Sequence, residues 1–265
     1  YSAYAWITMG RTVSAKGVQL KATTTDNIEI STDAINWSDS IVVNLKDIVA
    51  STVDTFNATS DDFYLIPAST LNAFDDNIWT TERAKTTGIA YDDTVFIHGQ
   101  PISKKGNNDF SGNYIDVPLY FRSAFEVDKD IKLDEVKTVI TGIDNANIAK
   151  VARLAFLSPD LDTNSQGGAA PYVYTKDIAS NVTNEVVNAS TAPNKIAPIY
   201  LSFSDGLSNE ALFSLGGADY TQTPMAYAPY KEIVVRIWIE GQDSNCTVDV
   251  GQKSFNVNIG FTAAE

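Results

Sequence analysis

The sequence predicts an all-β protein, a jelly-roll-like β-sandwich with long loop excursions and little helix. About ten short segments are rich in β-branched and aromatic residues, and polar turns separate them. The excursions between these segments are long and show no fixed-period repeat, which favours a sandwich over a propeller. With 265 residues and 44% apolar composition, the chain is large enough to bury a sizeable core.

The strongest strand signal runs from Ile233 to Glu240, where apolar side chains occupy every second position. One face of this segment is entirely apolar and the other is mixed, which predicts a central strand. A second alternating run, from Phe255 to Phe261, carries Asn and Gly on its opposite face. Two such strands must cover a core. Their apolar faces comprise Ile233, Val235, Ile237 and Ile239, and Phe255, Val257, Ile259 and Phe261.

A third alternating segment, Tyr114 to Ser123, contains Pro118. Because proline has no N–H to donate to a ladder, an edge position or a bulge is expected there. Shorter strands are predicted at Val13 to Leu20, Asn27 to Ser31, Ile41 to Leu45, Phe63 to Ile66, Ile131 to Asp134, Val151 to Leu157 and Tyr172 to Tyr174.

Helix is expected in only a few places. Leu45 to Val53 has the spacing of a short helix, Thr70 to Lys85 has apolar residues at near-helical spacing, and Ser208 to Leu212 is a further short candidate. Gly106 to Gly112 is expected to be a loop. Ser158 to Ile199 is expected to be a long polar excursion on the surface.

The charge of the chain argues against two classes of partner. Its net charge is −14 and its pI is near 4.4, whereas nucleic-acid binding needs clustered Lys and Arg. An anionic membrane surface would repel so acidic a protein. No apolar run approaches the roughly 18 residues that a membrane-spanning helix needs. We therefore expect no nucleic acid partner and no membrane insertion.

The start of the chain and its glycosylation sequons suggest export. The chain begins with Tyr1 rather than Met, which fits either a fragment or a mature protein whose signal peptide has been removed. Several Asn-x-Ser/Thr sequons support an extracellular location. The single cysteine, Cys246, allows no internal disulfide, and we expect it to be a buried small apolar residue.

No catalytic residue is predicted, and the chain is not expected to be an enzyme. A Ser/His/Asp or Cys/His arrangement would need His98, the one histidine, and Cys246 stands in no local nucleophile signature. Zinc would need several His or Cys ligands. A pair of carboxylates stays open as an alternative, because 33 acidic residues always offer some pair at the separation that glycoside hydrolysis needs.

Calcium is the candidate metal for so acidic a surface. Asp160, Asp162 and Asn164 place oxygen donors on alternate residues, as a calcium loop does. The segment departs from the EF-hand pattern, because Ser165 stands where glycine is needed and Pro171 where the closing Glu belongs. A solvated acidic loop is the alternative, so we expect either no cofactor or calcium.

The first residues of the chain form an unusually apolar segment. Termini are usually polar and frayed unless they are tied down, whereas seven of the first nine residues are apolar or aromatic. A strand made from residues 1–12 would need cover on both faces. It is either a first strand paired within its own sheet or an arm that fills a groove of a neighbouring subunit. The candidate contact residues are Tyr1, Ala3, Tyr4, Ala5, Trp6, Ile7 and Met9.

Two short motifs stand near the ends of the chain: the start, Tyr4-Ala-Trp6-Ile-Thr, and the strand Val-Arg-Ile-Trp238-Ile-Glu240-Gly. In these motifs the chain resembles the TasA/camelysin family of exported surface and biofilm-matrix proteins of Gram-positive bacteria. The closing β-strand after Cys246 is similar as well. The middle of the chain carries little of the resemblance.

The resemblance implies a jelly-roll domain, residues 13–265, that polymerises into extracellular fibres. Residues 1–12 of one subunit would complete the sheet of the next by β-augmentation. The partners would then be other copies of the chain, at the cell surface or in the extracellular matrix, after removal of a signal peptide.

Two other functions stay open. The first is a monomeric cell-surface adhesin or carbohydrate-binding module, for which Tyr172, Tyr174, Tyr227 and Tyr230 could form a sugar-stacking platform. The second is a secreted hydrolase that uses carboxylates. A shared fold does not decide between these functions.

Overall fold

The structure is a computed structural model, and it describes residues 13–14, 19–25, 27–67, 74–75, 78–79, 101–106, 109–143, 145–157, 172–176, 199–203, 210–240, 243, 245–246, 248–251 and 253–264. Its helices are α1 (Leu45–Thr52) and α2 (Ala146–Val151), with a 3-10 turn at Val248–Val250. Its strands are β1 (Val13–Ser14), β2 (Gln19–Thr24), β3 (Ile28–Ser31), β4 (Ser40–Asn44), β5 (Phe63–Leu65), β6 (Phe74–Asp75), β7 (Ile78–Trp79), β8 (Ser103–Gly106), β9 (Asp109–Gly112), β10 (Tyr114–Ser123), β11 (Lys129–Leu133), β12 (Val139–Gly142), β13 (Ala152–Leu157), β14 (Tyr172–Thr175), β15 (Ile199–Leu201), β16 (Phe213–Leu215), β17 (Lys231–Ile239) and β18 (Phe255–Ala263).

Strand β17 lies inside the first large sheet, as its apolar alternation predicts. The six strands of this sheet run in the order β15-β14-β13-β17-β10-β3. β14 and β15 pair in parallel, and the other neighbours pair antiparallel. Ile237 of β17 lies opposite Ile115 of β10 on one side and Leu154 of β13 on the other.

Strand β18 holds the equivalent position in the second large sheet. The strand order there is β16-β11-β18-β2-β4, and β12 also pairs with β18. β2 runs parallel to β18, whereas β11 and β12 run antiparallel to it. The alternation predicted for this strand is confirmed, because Phe255, Val257, Ile259 and Phe261 are all buried.

The two large sheets pack face to face through their apolar sides. The Phe261 ring of β18 lies 4.8 Å from the Phe121 ring of β10 and 6.1 Å from the Phe156 ring of β13, between ring centroids. The buried side chains of both sheets belong to one hydrophobic cluster. The predicted all-β sandwich with little helix is therefore confirmed. The jelly-roll order of its connections stays a prediction.

A smaller sheet, in the order β1-β5-β9-β8, joins the same core. Phe56 packs edge-on against Phe110 of β9 at 4.9 Å and against Phe63 of β5 at 6.3 Å, between ring centroids. The loop predicted at Gly106 to Gly112 is wrong, because Gly106 ends β8 and β9 begins at Asp109. Phe110 is the apolar residue of this short polar hairpin, and a lone apolar residue produces no periodic signal.

The helix predicted at Leu45 to Val53 is confirmed as α1, which begins after the N-cap Asn44. The Asn44 side chain accepts a hydrogen bond from the Lys46 N–H, as N-cap residues do. Helix α2 also begins after an N-cap residue, Asn145, whose side chain accepts a hydrogen bond from the Asn147 N–H. Its six residues are too few to show a helical period in the sequence. Within the described residues, no helix is long and apolar enough to cross a bilayer.

The other helical expectations fail where the structure describes them. In the segment Thr70 to Lys85, β6 and β7 pair antiparallel, with Phe74 opposite Trp79. In this segment, short apolar stretches lie on either side of a polar break. Their combined spacing resembles that of a helix, although the strands form a hairpin. Of the candidate helix Ser208 to Leu212, the described residues 210–212 are not helical.

Pro118 lies in an inner strand without a bulge, but at a local edge position of that strand, which is one of the two predicted possibilities. It stands inside β10, opposite Val234 of β17. β10 pairs with β3 only from Tyr120 to Ser123. The proline therefore sits where one side of β10 has no partner strand among the described residues, so the missing N–H interrupts no ladder there.

Candidate functional site

Several predicted site residues lie outside the described residues. They are the donor strand at residues 1–12, the calcium ligands Asp160, Asp162 and Asn164, and His98. The description begins at Val13, which pairs with Leu65 of β5 in the small sheet. Among the described residues, β1 is the terminal strand of that sheet.

Strand β4 is an open edge of the second large sheet. Among the described residues it pairs with β2 alone, from Ser40 to Asn44. Ile41 and Val43 face the core, and Val42 faces outward with 61% of its surface exposed. The other described outer edges are shorter: β15 and β16 have three residues each, and β3 has four and is bridged to Ser38 at Ile30. An exposed, flat edge with an apolar residue is a template for strand addition.

Three arginine–carboxylate pairs lie along the outer face of the first large sheet. Their burial increases from the β3 edge toward β13: the exposed fraction of the arginine side chain falls from 23% to 5% to 1%. Two of the pairs join residues directly opposite each other on neighbouring strands. The pairs are Arg122–Glu29, Arg236–Asp116 and Arg153–Asp243.

The most exposed pair is the centre of an aromatic surface. The Arg122 Nε donates to Glu29 Oε2 at 2.6 Å. The guanidinium carbon of Arg122 lies 4.4 Å from the Trp37 ring centroid and 3.8 Å from that of Tyr227. Arg122 is therefore held between two rings in cation–π geometry. We call this surface the aromatic patch; its residues are Glu29, Trp37, Tyr120, Arg122, Tyr227 and Tyr230.

Tyr230 extends the aromatic patch toward solvent. Its ring lies 5.4 Å from the Tyr120 ring, edge to face, and 6.1 Å from the Trp37 ring, between centroids. Tyr230 is 54% exposed, whereas Tyr120, Trp37 and Tyr227 are partly buried. Partial burial, followed by the hydrogen bond to Glu29, raises the pKa of Tyr227, so its hydroxyl stays protonated near neutral pH.

Local turns hold the loops that carry the patch. The Asp33 carboxylate accepts hydrogen bonds from the N–H groups of Ile35 and Asn36, which orders the turn before Trp37. These hydrogen bonds hold the pKa of Asp33 well below its usual range. The segment before β17 is held by an antiparallel β-bridge between Asp219 and Ala226.

The structure separates the four tyrosines that the sequence singled out. Tyr227 and Tyr230 belong to the aromatic patch, whereas Tyr172 and Tyr174 lie on β14, three strands away from β10 in the same sheet. Tyr174 is buried against the core, and burial raises the pKa of its hydroxyl to about 12. It therefore offers no surface for stacking.

Sequence reasoning missed Trp37 and Tyr120 as members of this surface. Tyr120 shares the outward face of its strand with Arg122, which the period-two pattern contains. Trp37 lies in a turn without a periodic pattern, so no local signal points to it.

The most buried of the three arginine–carboxylate pairs, Arg153–Asp243, is a structural contact. Arg153 Nη2 donates to Asp243 Oδ2 at 2.7 Å, and both side chains are 1% exposed. Cys246 lies nearby and is buried, as predicted. Burial, with a smaller contribution from Glu240 and Asp243, raises the pKa of the Cys246 thiol to about 12, which makes it a poor nucleophile at neutral pH.

The described part of the chain holds no group of three or more His, Cys, Asp or Glu side chains arranged to bind a metal ion. The candidate calcium loop at Asp160 lies outside that part. Comparisons of the chain with protein-family models, with curated proteins and with solved structures give no match.

Proposed function

We propose that this chain is a structural subunit of an extracellular filament, a pilus or biofilm-matrix fibre, that polymerises head-to-tail. The observation that carries the proposal is the open edge of β4, with Val42 exposed, in a chain that begins with a segment apolar on both faces. Residues 1–12 of one subunit would add to β4 of the next as a further strand.

The side-chain alternation of residues 1–12 is compatible with that of β4. On β4, Ile41 and Val43 face the core while Val42 faces outward. In the arm, Tyr1, Ala3, Ala5, Ile7 and Met9 share one face, and Tyr4 and Trp6 share the other. The first face would extend the core beside Ile41, and the second would cover Val42. Both faces of the donor strand would then be buried.

The reach of the arm is sufficient for contact with a neighbour. At about 3.3 Å per residue, a strand over residues 1–12 spans roughly 40 Å. A chain of this length has a radius of gyration of about 18 Å. A donor strand of that length would therefore cross most of a neighbouring subunit.

The energetics favour a polymer without covalent links. Burial of a large apolar side chain contributes about 1.5–3 kcal/mol before the cost of ordering the arm. A contact between the arm of one subunit and the edge of another is heterologous and does not close, so it propagates. The net charge of −14 would keep finished fibres apart at low salt, and divalent cations would bundle them.

The test separates donor from acceptor. A variant lacking residues 1–10 keeps the acceptor edge, and Val42→Lys keeps the arm but places a charge on that edge. Each variant alone should be monomeric in size-exclusion chromatography with light scattering. Mixed together, they should form a one-to-one dimer, because one donates and the other accepts.

Val136→Lys is the matched control. Val136 is 91% exposed in the turn between β11 and β12, so this variant should form fibres as the unchanged chain does in negative-stain microscopy. Fibres from the truncated variant, or no dimer in the mixture, would contradict the proposal. A monomeric unchanged chain would point to a lone surface module whose arm pairs with its own sheet.

A further inference from the structure

The aromatic patch on the β3–β10 side of the first large sheet has the composition of a ligand site, and it lies on the opposite sheet from the β4 edge. We propose that it binds a neutral saccharide. This inference is independent of polymerisation, because none of the six patch residues belongs to the arm or to β4.

Tyr230 supplies the apolar surface of the site. More than half of it is exposed, although an aromatic ring gains free energy when it is covered. Its orientation is restricted, since Tyr120 meets it edge to face at 5.4 Å and Trp37 lies 6.1 Å away. A sugar ring presents a face of C–H groups that fits such a surface, and a restricted ring loses little conformational entropy on binding.

Glu29, Arg122 and Tyr227 supply the polar groups of the patch, on the Trp37 side of Tyr230. Arg122 has five N–H donors, of which its Nε donates to Glu29. Burial, together with the nearby Glu29 carboxylate, raises the pKa of the Tyr227 hydroxyl, which therefore remains a donor near neutral pH. Fixed donors and acceptors can form hydrogen bonds with the hydroxyl groups at the edge of a sugar ring. Ligand sites commonly combine an aromatic lining with a few such fixed polar groups.

The electrostatics favour a neutral ligand. The charge of Arg122 is balanced by Glu29 at 2.6 Å, and Glu232, opposite Tyr120, adds a negative charge beside the patch. The chain as a whole carries −14, which repels anionic ligands. The cation–π position between Trp37 and Tyr227 is already occupied by Arg122, so a cationic ligand cannot bind there.

Binding is tested with defined hexasaccharides on the full-length chain. The neutral probes are cellohexaose, mannohexaose and the hexamer of N-acetylglucosamine, and the acidic probe is a hyaluronan hexasaccharide. We expect saturable binding of at least one neutral probe by isothermal titration calorimetry, with a change in tryptophan fluorescence from Trp37, and no binding of the acidic probe.

Variants at one position then connect binding to the patch. Tyr230→Ala should lower the association constant by about tenfold or more, whereas Tyr230→Phe, which keeps the ring, should stay within about threefold. Tyr64→Ala on β5, a partly buried tyrosine in another sheet, is the control and should bind unchanged. Circular dichroism verifies that each variant is folded.

Four results would overturn the inference: no binding of any neutral probe, equal binding by Tyr230→Ala, tighter binding of the acidic probe, or Tyr230-dependent self-association without sugar binding. Fibre formation is measured in parallel by microscopy. Tyr230→Ala should form fibres normally, so a failure of saccharide binding and a failure of the filament proposal give different results.

Discussion

Arg236 of β17 lies directly opposite Asp116 of β10 and donates from Nε to Oδ1 and from Nη2 to Oδ2, each at 2.7 Å. The guanidinium carbon also lies 3.8 Å from the centroid of the Tyr114 ring. The arginine side chain is 5% exposed and the carboxylate 35%. The pair therefore joins the two longest neighbouring strands of the sheet by a bidentate, partly buried contact.

We predict that Asp116→Asn destabilises the protein by about 1–3 kcal/mol, because it leaves the buried guanidinium without its counter-charge. Arg236→Lys should also destabilise it, since an ammonium cannot make the bidentate contact or stack on Tyr114. Urea unfolding measures both. Asp54→Asn, in an exposed turn, removes the same charge and should change the free energy of unfolding little. Equal effects at the two aspartates would contradict the prediction.

The buried pair Arg153–Asp243 should show strong coupling. Arg153→Met or Asp243→Asn alone should cost about 3–5 kcal/mol, because each removes one half of a hydrogen-bonded ion pair from the interior. The double variant should be more stable than the sum of the single effects predicts. A double-mutant cycle by urea unfolding tests this. Additivity within about 0.5 kcal/mol would show that the pair does not act as a unit.

Gly260, in β18, should not accept a side chain. A Cβ there would lie 2.5 Å from Lys137 Cβ and 2.8 Å from Asp134 Cβ, so the β11–β12 turn would have to move. Gly260→Ala should therefore destabilise the protein by about 1–3 kcal/mol. At Gly106, by contrast, nothing lies within 4 Å of such a Cβ. Gly106→Ala should be neutral or slightly stabilising in thermal unfolding, and similar losses at both positions would count against the packing argument.

Stability should fall at alkaline pH. Burial raises the pKa of Cys246 from 9.0 to about 12 and that of Tyr174 from 10.0 to about 12. Between these values the unfolded chain releases protons that the folded chain retains, so rising pH favours unfolding. The stability contributed by the neutral forms is fully present below about pH 9 and is lost as pH rises toward about 12.

Urea unfolding at about pH 8 and about pH 11 measures this loss. Cys246→Ala combined with Tyr174→Phe should reduce the difference between the two pH values, since neither group can then ionise. A thiol reagent such as dithionitrobenzoate should modify Cys246 only after denaturation, because the thiol is buried. An unchanged pH dependence in the double variant would refute the assignment to these two groups.

Much of the fold follows from local sequence patterns. A period-two alternation is contained within about eight residues, so it identifies β17 and β18 and the side chains that each buries. The apolar spacing from Leu45 to Val53 likewise identifies α1. The polar hairpin β8–β9 escapes prediction because Phe110 is its lone large apolar side chain. The pair β6–β7 is not predicted, because two short apolar segments on either side of a polar break have the spacing of a helix.

The candidate sites depend on contacts between distant segments. Glu29, Trp37, Arg122 and Tyr227 come from different parts of the chain, and the pairing of β10 with β3 on one side and with β17 on the other brings them together. The open edge of β4 likewise results from strand order, which no single segment contains. Sequence alone thus determined the strongly alternating strands and their apolar faces, because side-chain alternation is a local property. Tertiary structure decided which strands are neighbours, since pairing is set by packing of the whole chain rather than by any one segment.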